Sequence, residues 1–348
     1  MFAVTEASIP TVGVRSVVHL GPAPILKGPG WTLVGQDGGQ SIDLGNATLL
    51  VFSDTLLADP AALEKRMFSR QNARFLANCA GITTQNSFVN ALASLKLFTD
   101  TEGWPREILP RTAQESLIGY RFWPQHGLCM KESVYLFYLG IRQVQAQSTW
   151  GFEIVGSGLA VLDPAMGDCE RIRRDGEWRL WQHDGAAVQW GVQVLAEGEM
   201  AYIFGMRRDA MRRSGVLARV AIENIADLST YEYLSSTEPA WSRCSSQLAE
   251  FAPCGGEYSV SFNRYLGRYL MIYVDGYDKT LYFRTAQQLW GPYSEPQCLG
   301  KLPHSEKTEL VSLGFEHPQF ARNGGKTVLV SYCQPHFTQN SLVSITFD

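Results

Sequence analysis

The chain has 348 residues, of which 45% are hydrophobic and only 18% are charged, and its formal net charge is −4. This length suits one large repeat architecture or two modest domains, and the composition excludes intrinsic disorder. The small negative charge gives no reason to expect a nucleic-acid partner, and no run approaches the ~20 apolar residues that a membrane span needs.

Signals for cellular location and for metals are weak. The N-terminal sequence MFAVTEASIPTVGV lacks the basic start and apolar core of a signal peptide. Seven cysteines are scattered singly without a CxxC pair, which favours reduced thiols over a disulfide framework or a zinc site. We therefore expect a cytoplasmic protein without a metal or cofactor. Two alternatives stay open: secretion after removal of a leader, and a single structural ion in a central channel.

The first predicted element is a β-hairpin within GQDGGQSIDLGNATLLVFSDT, residues 35–55. Gly45-Asn46 is a pair that accepts the positive φ angles of a tight turn. Counting outward from this turn places Asp37 opposite Asp54, where cross-strand Cβ atoms lie ~4.5–5.5 Å apart. A bulge at Gly38-Gly39 would instead shift the register by one residue and turn the two carboxylates apart.

The hairpin is followed by a predicted helix. Asp59-Pro60 has the composition of a helix start, and AALEKRMFSRQNARFLANC continues with helical spacing. We predict one helix over residues 60–75, inserted into the first repeat. A doubly wound α/β fold would need a helix between most strands, and the sequence shows only this one. The pattern therefore predicts an all-β fold.

Five apolar runs of similar sequence recur along the chain, at a period of about 60–70 residues after a longer first interval. Each follows a short turn and an earlier strand, and most are followed by a third strand. This pattern is typical of a five-bladed β-propeller with four-stranded antiparallel blades. We expect one domain over residues 1–348, whose last blade is closed by residues 12–20. The runs begin at Thr48, Val134, Ala201, Tyr269 and Thr327.

Three acidic residues are candidate catalytic groups, because the innermost strands of a propeller line its central channel. The second strand returns to the face where the first begins, so Asp37 and Asp54 are expected together, with Glu257 at the start of the fourth inner strand. Two close, partly desolvated carboxylates cannot both ionise easily, and this arrangement performs acid/base chemistry on glycosidic bonds. The structural alternatives are a glycine-turn contact for Asp37, a strand-end cap for Asp54 and a rim position for Glu257.

Polar and aromatic residues near the predicted starts of the inner strands are candidate substrate-binding groups. His317 could bind a sugar hydroxyl or a backbone carbonyl, and Trp123 and Trp190 could stack on sugar rings or pack between blades. The candidates from this reasoning are Gln36, Trp123, Gln125, Trp190, Glu316 and His317.

Other chemistries have less support. The sequence contains no GxSxG elbow, HExxH motif or P-loop. A glycoside phosphorylase would need Arg and His around a phosphate, and only Arg121 and His126 are near a predicted inner strand. Two basic clusters are interpreted as solvated loops. They are Arg171/Arg173/Arg174 and Arg207/Arg208/Arg212/Arg213.

The segment GQDGGQSIDLGNATLLVFSDT resembles the first-blade signature of a bacterial family long described as a domain of unknown function. That signature is a G-x-D and a short strand, followed by an apolar strand ending in G-D-T. Similar segments follow in order over about residues 31–333, among them ANCAGITT, GEYSVSFNRYLGRYLMIYVD and EHPQF. The family resembles five-bladed propeller glycosidases, and some members are endo-D-arabinanases of glycoside hydrolase family 183.

The resemblance implies furanoside hydrolysis by acidic residues at the propeller mouth. Asp37 matches the first-blade aspartate of the family, Asp54 the aspartate of G-D-T, and Glu257 a glutamate at the start of the fourth blade. Asn78 lies where the family has an N-S pair and joins the substrate-binding candidates. Ser53 stands in place of the family's glycine before Asp54.

We therefore expect a hydrolase that cleaves a glycosidic bond of a carbohydrate substrate. Asp37 would be the ionised nucleophile or base, and either Asp54 or Glu257 the protonated acid. The alternative is a non-catalytic propeller that binds a glycan or a protein; no membrane partner is expected. Retaining enzymes have carboxyl groups ~5–5.5 Å apart and inverting enzymes ~6.5–9.5 Å apart, and the sequence leaves this distance open.

Overall fold

A computed structural model of the protein describes residues 11–65, 67–69, 71–144, 151–182, 188–209, 212–236, 238–305, 310–334 and 339–348. The strands of this part of the chain form five antiparallel sheets. The innermost strand of each sheet contacts that of the next, and the fifth returns to the first. The sheets are therefore the blades of a closed ring, and the predicted all-β, five-bladed propeller is confirmed.

The strands follow the blades in chain order, except for the first, β1 (Val14–Pro22), which belongs to blade 5. Blade 1 contains β2 (Lys27–Gly28), β3 (Trp31–Asp43), β4 (Thr48–Ala58), β5 (Ala73–Leu76), β6 (Cys79–Thr83) and β7 (Lys96–Leu97). Blade 2 contains β8 (Tyr120–Met130), β9 (Ser133–Gln143), β10 (Phe152–Asp163), β11 (Asp168–Arg171) and β12 (Trp181–Gln182). Blade 3 contains β13 (Val188–Glu197), β14 (Met200–Asp209), β15 (Arg212–Ala221), β16 (Glu232–Ser236), β17 (Ala240–Ser242) and β18 (Glu250–Pro253). Blade 4 contains β19 (Tyr258–Asn263), β20 (Arg268–Asp275), β21 (Thr280–Ala286) and β22 (Gln297–Lys301), and blade 5 contains β23 (Ser312–Glu316), β24 (Thr327–Cys333) and β25 (Ser341–Phe347).

Hydrophobic side chains fill the space between each pair of neighbouring blades. Between blades 1 and 2, for example, Ile42 and Val51 pack with Phe122 and Tyr138. Equivalent clusters join the other neighbouring blades around the ring. Because both faces of a blade are covered, its middle strand is a continuous apolar run instead of an alternating one. The repeated runs of the sequence have this cause.

Blade 5 combines the two ends of the described chain. Strand β1 pairs antiparallel with β25, from Val14 opposite Phe347 to Pro22 opposite Ser341. The order of the sheet is β1-β25-β24-β23, so β1 is its outermost strand. The ring is thus held together by pairing between strands from opposite ends of the sequence.

The predicted helix over residues 60–75 is wrong in extent. The helix α1 spans Pro60–Lys65, where Asp59 Oδ1 accepts hydrogen bonds from the backbone N–H groups of Ala61 and Ala62. Strand β5 occupies the later part of the predicted helix and pairs with the end of β4. The change of structure follows a polar turn in which Asn72 Oδ1 accepts from Ser69 N–H, the kind of side-chain bond that competes with a helix.

Two further short helices are present, α2 (Phe88–Ala93) and α3 (Ala113–Ile118). The side chain of Thr112 and that of Glu115 cap α3 reciprocally. No helix of the described chain is long and apolar enough to cross a membrane. The described 3-10 helices are Ile222–Asn224, Leu228–Thr230, Ser245–Gln247, Pro318–Phe320 and Asn323–Gly325.

The inner strand of blade 5 was predicted one segment too late. We expected it to open at Glu316, but Glu316 is the last residue of β23. Pro318 follows at the start of a 3-10 helix, and proline cannot donate a ladder hydrogen bond. Glu316 and His317 therefore lie at the opposite end of the inner strand from its start.

Candidate active site

A cavity of about 430 Å³ lies at the centre of the ring, because residues from all five blades line it. Blade 1 contributes Asp37 and Asp54, and blade 4 contributes Glu257. The three predicted catalytic carboxylates thus share one cavity. The other lining residues are Trp123, Phe152, Glu153, Ile154, Gln189, Met206, Arg208, Arg213, Gly256, Val274, Gly276, Leu310, Val311, Ser312 and Leu313.

Two compensating bulges in the first hairpin keep Asp37 beside Asp54. The pairing runs regularly from Asp43 opposite Thr48 and is interrupted at Gly38-Gly39, where both φ angles are positive. Strand β4 contains the second irregularity, and Gln36 then pairs with Thr55, as it would without any bulge. The glycine bulge therefore exists but does not turn the two carboxylates apart.

Asp37 has the most perturbed environment of the three acids. Burial of its carboxyl, together with the smaller effects of the charges of Asp54 and Glu257, raises the pKa of Asp37 from 3.8 to about 7. A hydrogen bond with the thiol of Cys333 opposes this shift. Near neutral pH, Asp37 is thus a carboxyl group that can be protonated while charged carboxylates lie nearby.

Asp54 is held by two side chains of blade 2. Trp123 Nε1 donates a hydrogen bond to Asp54 Oδ1 at 2.9 Å, and Arg121 Nη1 lies 3.6 Å from Asp54 Oδ2. Burial raises the pKa of Asp54 above its ordinary value, and the Trp123 hydrogen bond and the Arg121 charge offset only part of this rise. These partners stabilise the ionised form, and that negative charge in turn raises the pKa of Asp37.

Glu257 enters the cavity from blade 4, one residue before β19. It follows Gly255-Gly256, and a Cβ at Gly255 would lie 2.7 Å from Val274 O, so only glycine allows this approach of the chain. The carboxyl of Glu257 makes no hydrogen bond or ion pair within the described residues. It is the carboxylate that is free to meet a ligand.

Trp123 and Phe152 form an aromatic wall next to Asp54. Their rings meet edge to face, with centroids 4.9 Å apart. Trp123 is partly exposed at the cavity, so one of its surfaces remains available to a sugar ring.

Gln36 and Asn78, both predicted to bind substrate, do not line the cavity. Gln36 points to the other face of β3, where it borders a small space against Phe52 and Leu92. The amide of Asn78 is fully buried. It donates to the carbonyl oxygens of Leu109 and Phe122 and accepts from the N–H groups of Ile108 and Leu109. The side chain of Asn78 therefore has a structural role, in which it connects the segment at Ile108-Leu109 with strand β8.

Gln125 and Trp190 are also absent from the cavity lining. Gln125 is buried, and its Nε2 donates to Pro124 O. Trp190 packs in the interface between blades 2 and 3, with its ring centroid 5.7 Å from that of Tyr233. The structural alternative for this tryptophan, packing between blades, describes its position.

Glu316 and His317 belong to a sealed polar network along the propeller axis. Ser261 Oγ donates to Glu316 Oε2 at 2.7 Å, and burial raises the pKa of Glu316 to about 7. Both ring nitrogens of His317 hydrogen-bond hydroxyls, Ser41 Oγ at 3.0 Å and Ser331 Oγ at 2.9 Å. Burial lowers the pKa of His317 to about 3, so it is neutral. Neither residue reaches the cavity.

His126 continues this network towards blade 3. Its Nδ1 accepts from Val194 N–H at 3.3 Å, and its Nε2 lies 3.1 Å from Ser41 O. Burial lowers the pKa of His126 to about 4. The neutral ring therefore joins three inner strands, β3, β8 and β13.

Sequence reasoning missed the contribution of blade 3 to the cavity. The cluster interpreted as a solvated loop lies on strands β14 and β15, and Arg208 and Arg213 from it line the cavity. Gln189 of β13 joins them. In the first basic cluster Arg173 and Arg174 are exposed, as expected, but Arg171 ends strand β11 and makes an ion pair with buried Glu115 at 2.7 Å. The adjacent arginine pairs Arg207-Arg208 and Arg212-Arg213 were the signal in the sequence. Which arginine of each pair points into the cavity depends on the strand register.

The segment 310–313 provides an apolar wall from blade 5. Leu313 has a φ of 60°, in the left-handed region that a leucine rarely adopts. Such strained positions concentrate at functional sites, where the surrounding structure enforces them. Among the described residues no three His, Cys, Asp or Glu side chains are grouped so that they could hold a metal ion.

A profile of the family described as "Domain of unknown function (DUF5005)" matches residues 27–343. The chain belongs to this family. The predicted resemblance to a family of unknown function related to propeller glycosidases is confirmed. A comparison with curated proteins found no match.

Two solved structures are similar to this member of the DUF5005 family. One is a Bacteroides ovatus protein that has been proposed to be a hydrolase, with 14% identity and a TM-score of 0.62 over 92% of this chain and 87% of that chain. The other is the GH43_1 enzyme from Xanthomonas citri, with 13% identity and a TM-score of 0.50 over 90% and 87% of the two chains. The chain thus has a fold that glycoside hydrolases also have.

Proposed function

We propose that this protein hydrolyses glycosidic bonds in the central cavity. The observation that carries the proposal is the convergence of Asp37, Asp54 and Glu257, in which the pKa of Asp37 is raised to about 7. Two carboxyl groups in different protonation states on either side of a sugar are what glycoside hydrolysis requires. The propeller fold, shared with glycoside hydrolases, is consistent with this chemistry but does not by itself assign it.

In the proposed mechanism, protonated Asp37 gives its proton to the glycosidic oxygen as the bond to the anomeric carbon breaks. Glu257, which has no partner among the described residues, acts as the carboxylate that activates water or attacks the anomeric carbon. Trp123 and Arg121 stabilise the ionised form of Asp54, whose negative charge contributes to the raised pKa of Asp37. This assignment reverses the sequence-based expectation for Asp37, because burial favours its protonated form.

The aromatic wall has a binding role in this proposal. The C–H face of a sugar ring packs on an aromatic plane, and Trp123 lies beside the acid pair. Its indole N–H is already used by Asp54, so substitution of Trp123 would affect both sugar packing and the charge state of Asp54.

The test compares wild type with Asp37→Asn and Glu257→Gln on a panel of furanosides, arabinans and pyranosides, scored by release of reducing ends. Asp43→Asn is the matched control, because Asp43 lies on the same strand β3 but is exposed at the turn, where its carboxyl accepts from Gly45 N–H. We expect at least ~10³-fold lower activity in the two cavity variants, near-normal activity in the control and unchanged folding in all three. Analysis of the first-formed anomer by NMR would then distinguish retention from inversion.

Equal activity in Asp37→Asn and wild type would disprove the proposed roles. Absence of hydrolysis by wild type across the panel, combined with binding of a glycan, would favour the alternative of a non-catalytic glycan-binding propeller.

A further inference from the structure

The wall of the cavity formed by blade 3 is cationic, unlike the acidic wall of blade 1. Gln189 pairs with Met206 across β13 and β14, and Arg208 pairs with Arg213 across β14 and β15. Met206 and Arg208 share one face of their strand because side chains two residues apart point the same way. The four side chains therefore form one continuous surface, from a buried amide to a pair of guanidinium groups.

The two arginines of this surface have no carboxylate partner among the residues that the structure describes. Arg208 has no hydrogen bond or ion pair among the described residues, and Arg213 uses only Nη1, which donates to Gly255 O at 2.6 Å. Like charges directly opposite each other on neighbouring strands destabilise a sheet. The neighbouring Arg207 and Arg212, in contrast, both lie near Glu250, at 3.5 and 3.6 Å. Glu250 of strand β18 thus lies near the arginines that face away from the cavity, whereas the cavity pair has no carboxylate partner among the described residues.

Gln189 is a second, independent sign of a missing partner. Its side chain is only 3% exposed and lines the cavity, and its Oε1 has no hydrogen-bond partner among the described residues. A buried amide oxygen without a donor is destabilising, because it has lost its hydrogen bond with water. A hydroxyl group of a bound sugar would supply the donor.

The acids of the cavity do not remove the positive charge of this wall. Arg142 Nε donates to Glu153 Oε1 at 2.7 Å, and Arg121 lies near Asp54. The pKa of Asp37 is raised to about 7, so its negative charge is reduced near neutral pH. Glu257 is then the remaining unpaired anion, against two unpaired arginines.

We propose that the substrate is an acidic sugar, and that Arg208 and Arg213 bind its carboxylate while Gln189 accepts a neighbouring hydroxyl. The guanidinium group forms two parallel hydrogen bonds to a carboxylate, a geometry that a lysine or an amide does not reproduce. The inference rests on the proposed hydrolysis, because it assigns the sugar of that same site as a uronic acid residue. A sulfate or phosphate ester on the sugar presents the same oxyanion chemistry, and the test separates these sources.

The experiment measures binding without turnover, in full-length Asp37→Asn protein. Calorimetric titrations compare the α- and β-methyl glycosides of D-glucuronic and D-galacturonic acid with those of D-glucose and D-galactose, which differ only at C6. Glucose 6-phosphate, glucose 6-sulfate and inorganic phosphate form further arms. We expect at least one uronide to bind tenfold or more tightly than its neutral counterpart, with a preference that decreases as salt is added.

Arg208→Gln and Arg213→Gln should each abolish this preference, and Arg213→Lys should restore it only in part. Arg212→Gln is the matched control, since Arg212 lies next to Arg213 but pairs with Glu250 outside the cavity. It should keep the full preference.

Several results would overturn the inference. These are equal binding of acidic and neutral glycosides, no binding of any glycoside at millimolar concentration, or a preference that survives both glutamine substitutions. Tighter binding of the 6-phosphate, the 6-sulfate or inorganic phosphate than of every uronide would also overturn it. Because no turnover is measured, a negative result here leaves the proposed hydrolysis standing. A protein that binds uronides but hydrolyses nothing would disprove only the proposed hydrolysis.

Discussion

Asp37 and Glu316 are buried carboxyl groups with similarly raised pKa values, but only Asp37 lines the cavity. Burial raises the pKa of each carboxyl to about 7. Asp37 lies at a cavity that can admit a ligand, next to Asp54 and Glu257. Glu316 is sealed on the propeller axis, where Ser261 donates to its side chain and Ser259 Oγ accepts its backbone N–H.

This difference shows that a raised pKa reports desolvation of the carboxyl group. Such a group can take part in a reaction only if a substrate can reach it. By pKa alone, Glu316 is as strong a candidate acid as Asp37. It lies beneath the cavity floor, however, among hydrogen-bonded residues that include His317 and Ser41. We therefore assign it to the stability of the ring.

The strongest test of this difference replaces one carboxylate in each region with a neutral amide. Glu257→Gln should lower kcat/KM by at least ~10³-fold, because the cavity loses its free carboxylate. Glu316→Gln should change kcat/KM by less than about threefold, since its side chain does not meet the substrate. Steady-state kinetics on a substrate from the panel tests both. Similar losses in the two variants would remove the distinction.

The next largest effect concerns the stability of the sealed network. His317→Ala leaves the hydroxyls of Ser41 and Ser331 without their buried partner and opens a cavity, so the free energy of unfolding should fall by ~3 kcal/mol. His19→Ala, at an exposed position of β1, should cost less than about 0.5 kcal/mol. Denaturant unfolding monitored by tryptophan fluorescence measures both. An equal cost at the two positions would contradict the network.

Glu316 should also make stability depend on pH. Its pKa is about 7 in the folded protein and near 4.5 when the chain unfolds, so the unfolded state releases the proton first. Wild type should therefore lose stability as pH rises from about 4.5 through 7, by about 3 kcal/mol at pH 8, and Glu316→Gln should escape this loss. Thermal unfolding of both proteins from pH 4 to pH 9 is the measurement. Parallel Tm curves would refute it.

The smallest expected effect is at Cys333. Its thiol hydrogen bond lowers the pKa of Asp37, so Cys333→Ala should raise that pKa. Activity that requires protonated Asp37 would then persist to higher pH, with the basic limb of kcat/KM displaced upward by about 0.5 pH unit. Cys333→Ser, which keeps a donor, should restore the wild-type limb. An unchanged limb in the alanine variant would exclude the contact from the chemistry.

The sequence predicted the elements that depend on local pattern. Repeated apolar runs indicated five blades, and the turn at Gly45-Asn46 set the register that brings Asp37 and Asp54 together. The bulge at Gly38-Gly39 was foreseen, but its compensation in β4 was not, because nothing local in the residues around Ser53 indicates a second irregularity.

The directions of side chains and the ends of strands were less predictable from the sequence. Asp37 points into the cavity, whereas its neighbour Gln36 points away from it, because side chains alternate along a strand. In blade 5 the inner strand preceded the segment we expected. The arginines of blade 3 were misread because charge runs are usually solvated. The helix α3 was not predicted, although Thr112 and Glu115 have the spacing of a capping box.

The pairing of β1 with β25 has a consequence for biosynthesis. Residues Val14–Pro22 are made about 320 residues before their partner Ser341–Phe347. At ordinary translation rates the first strand waits roughly 15–60 s for that partner. Blades 1 to 4 can assemble during this interval, whereas blade 5 can close only after Ser341–Phe347 has been made. Until then β1 lacks its partner strand β25, and its unpaired backbone groups can pair with other chains. The chain is therefore most prone to aggregation during this interval.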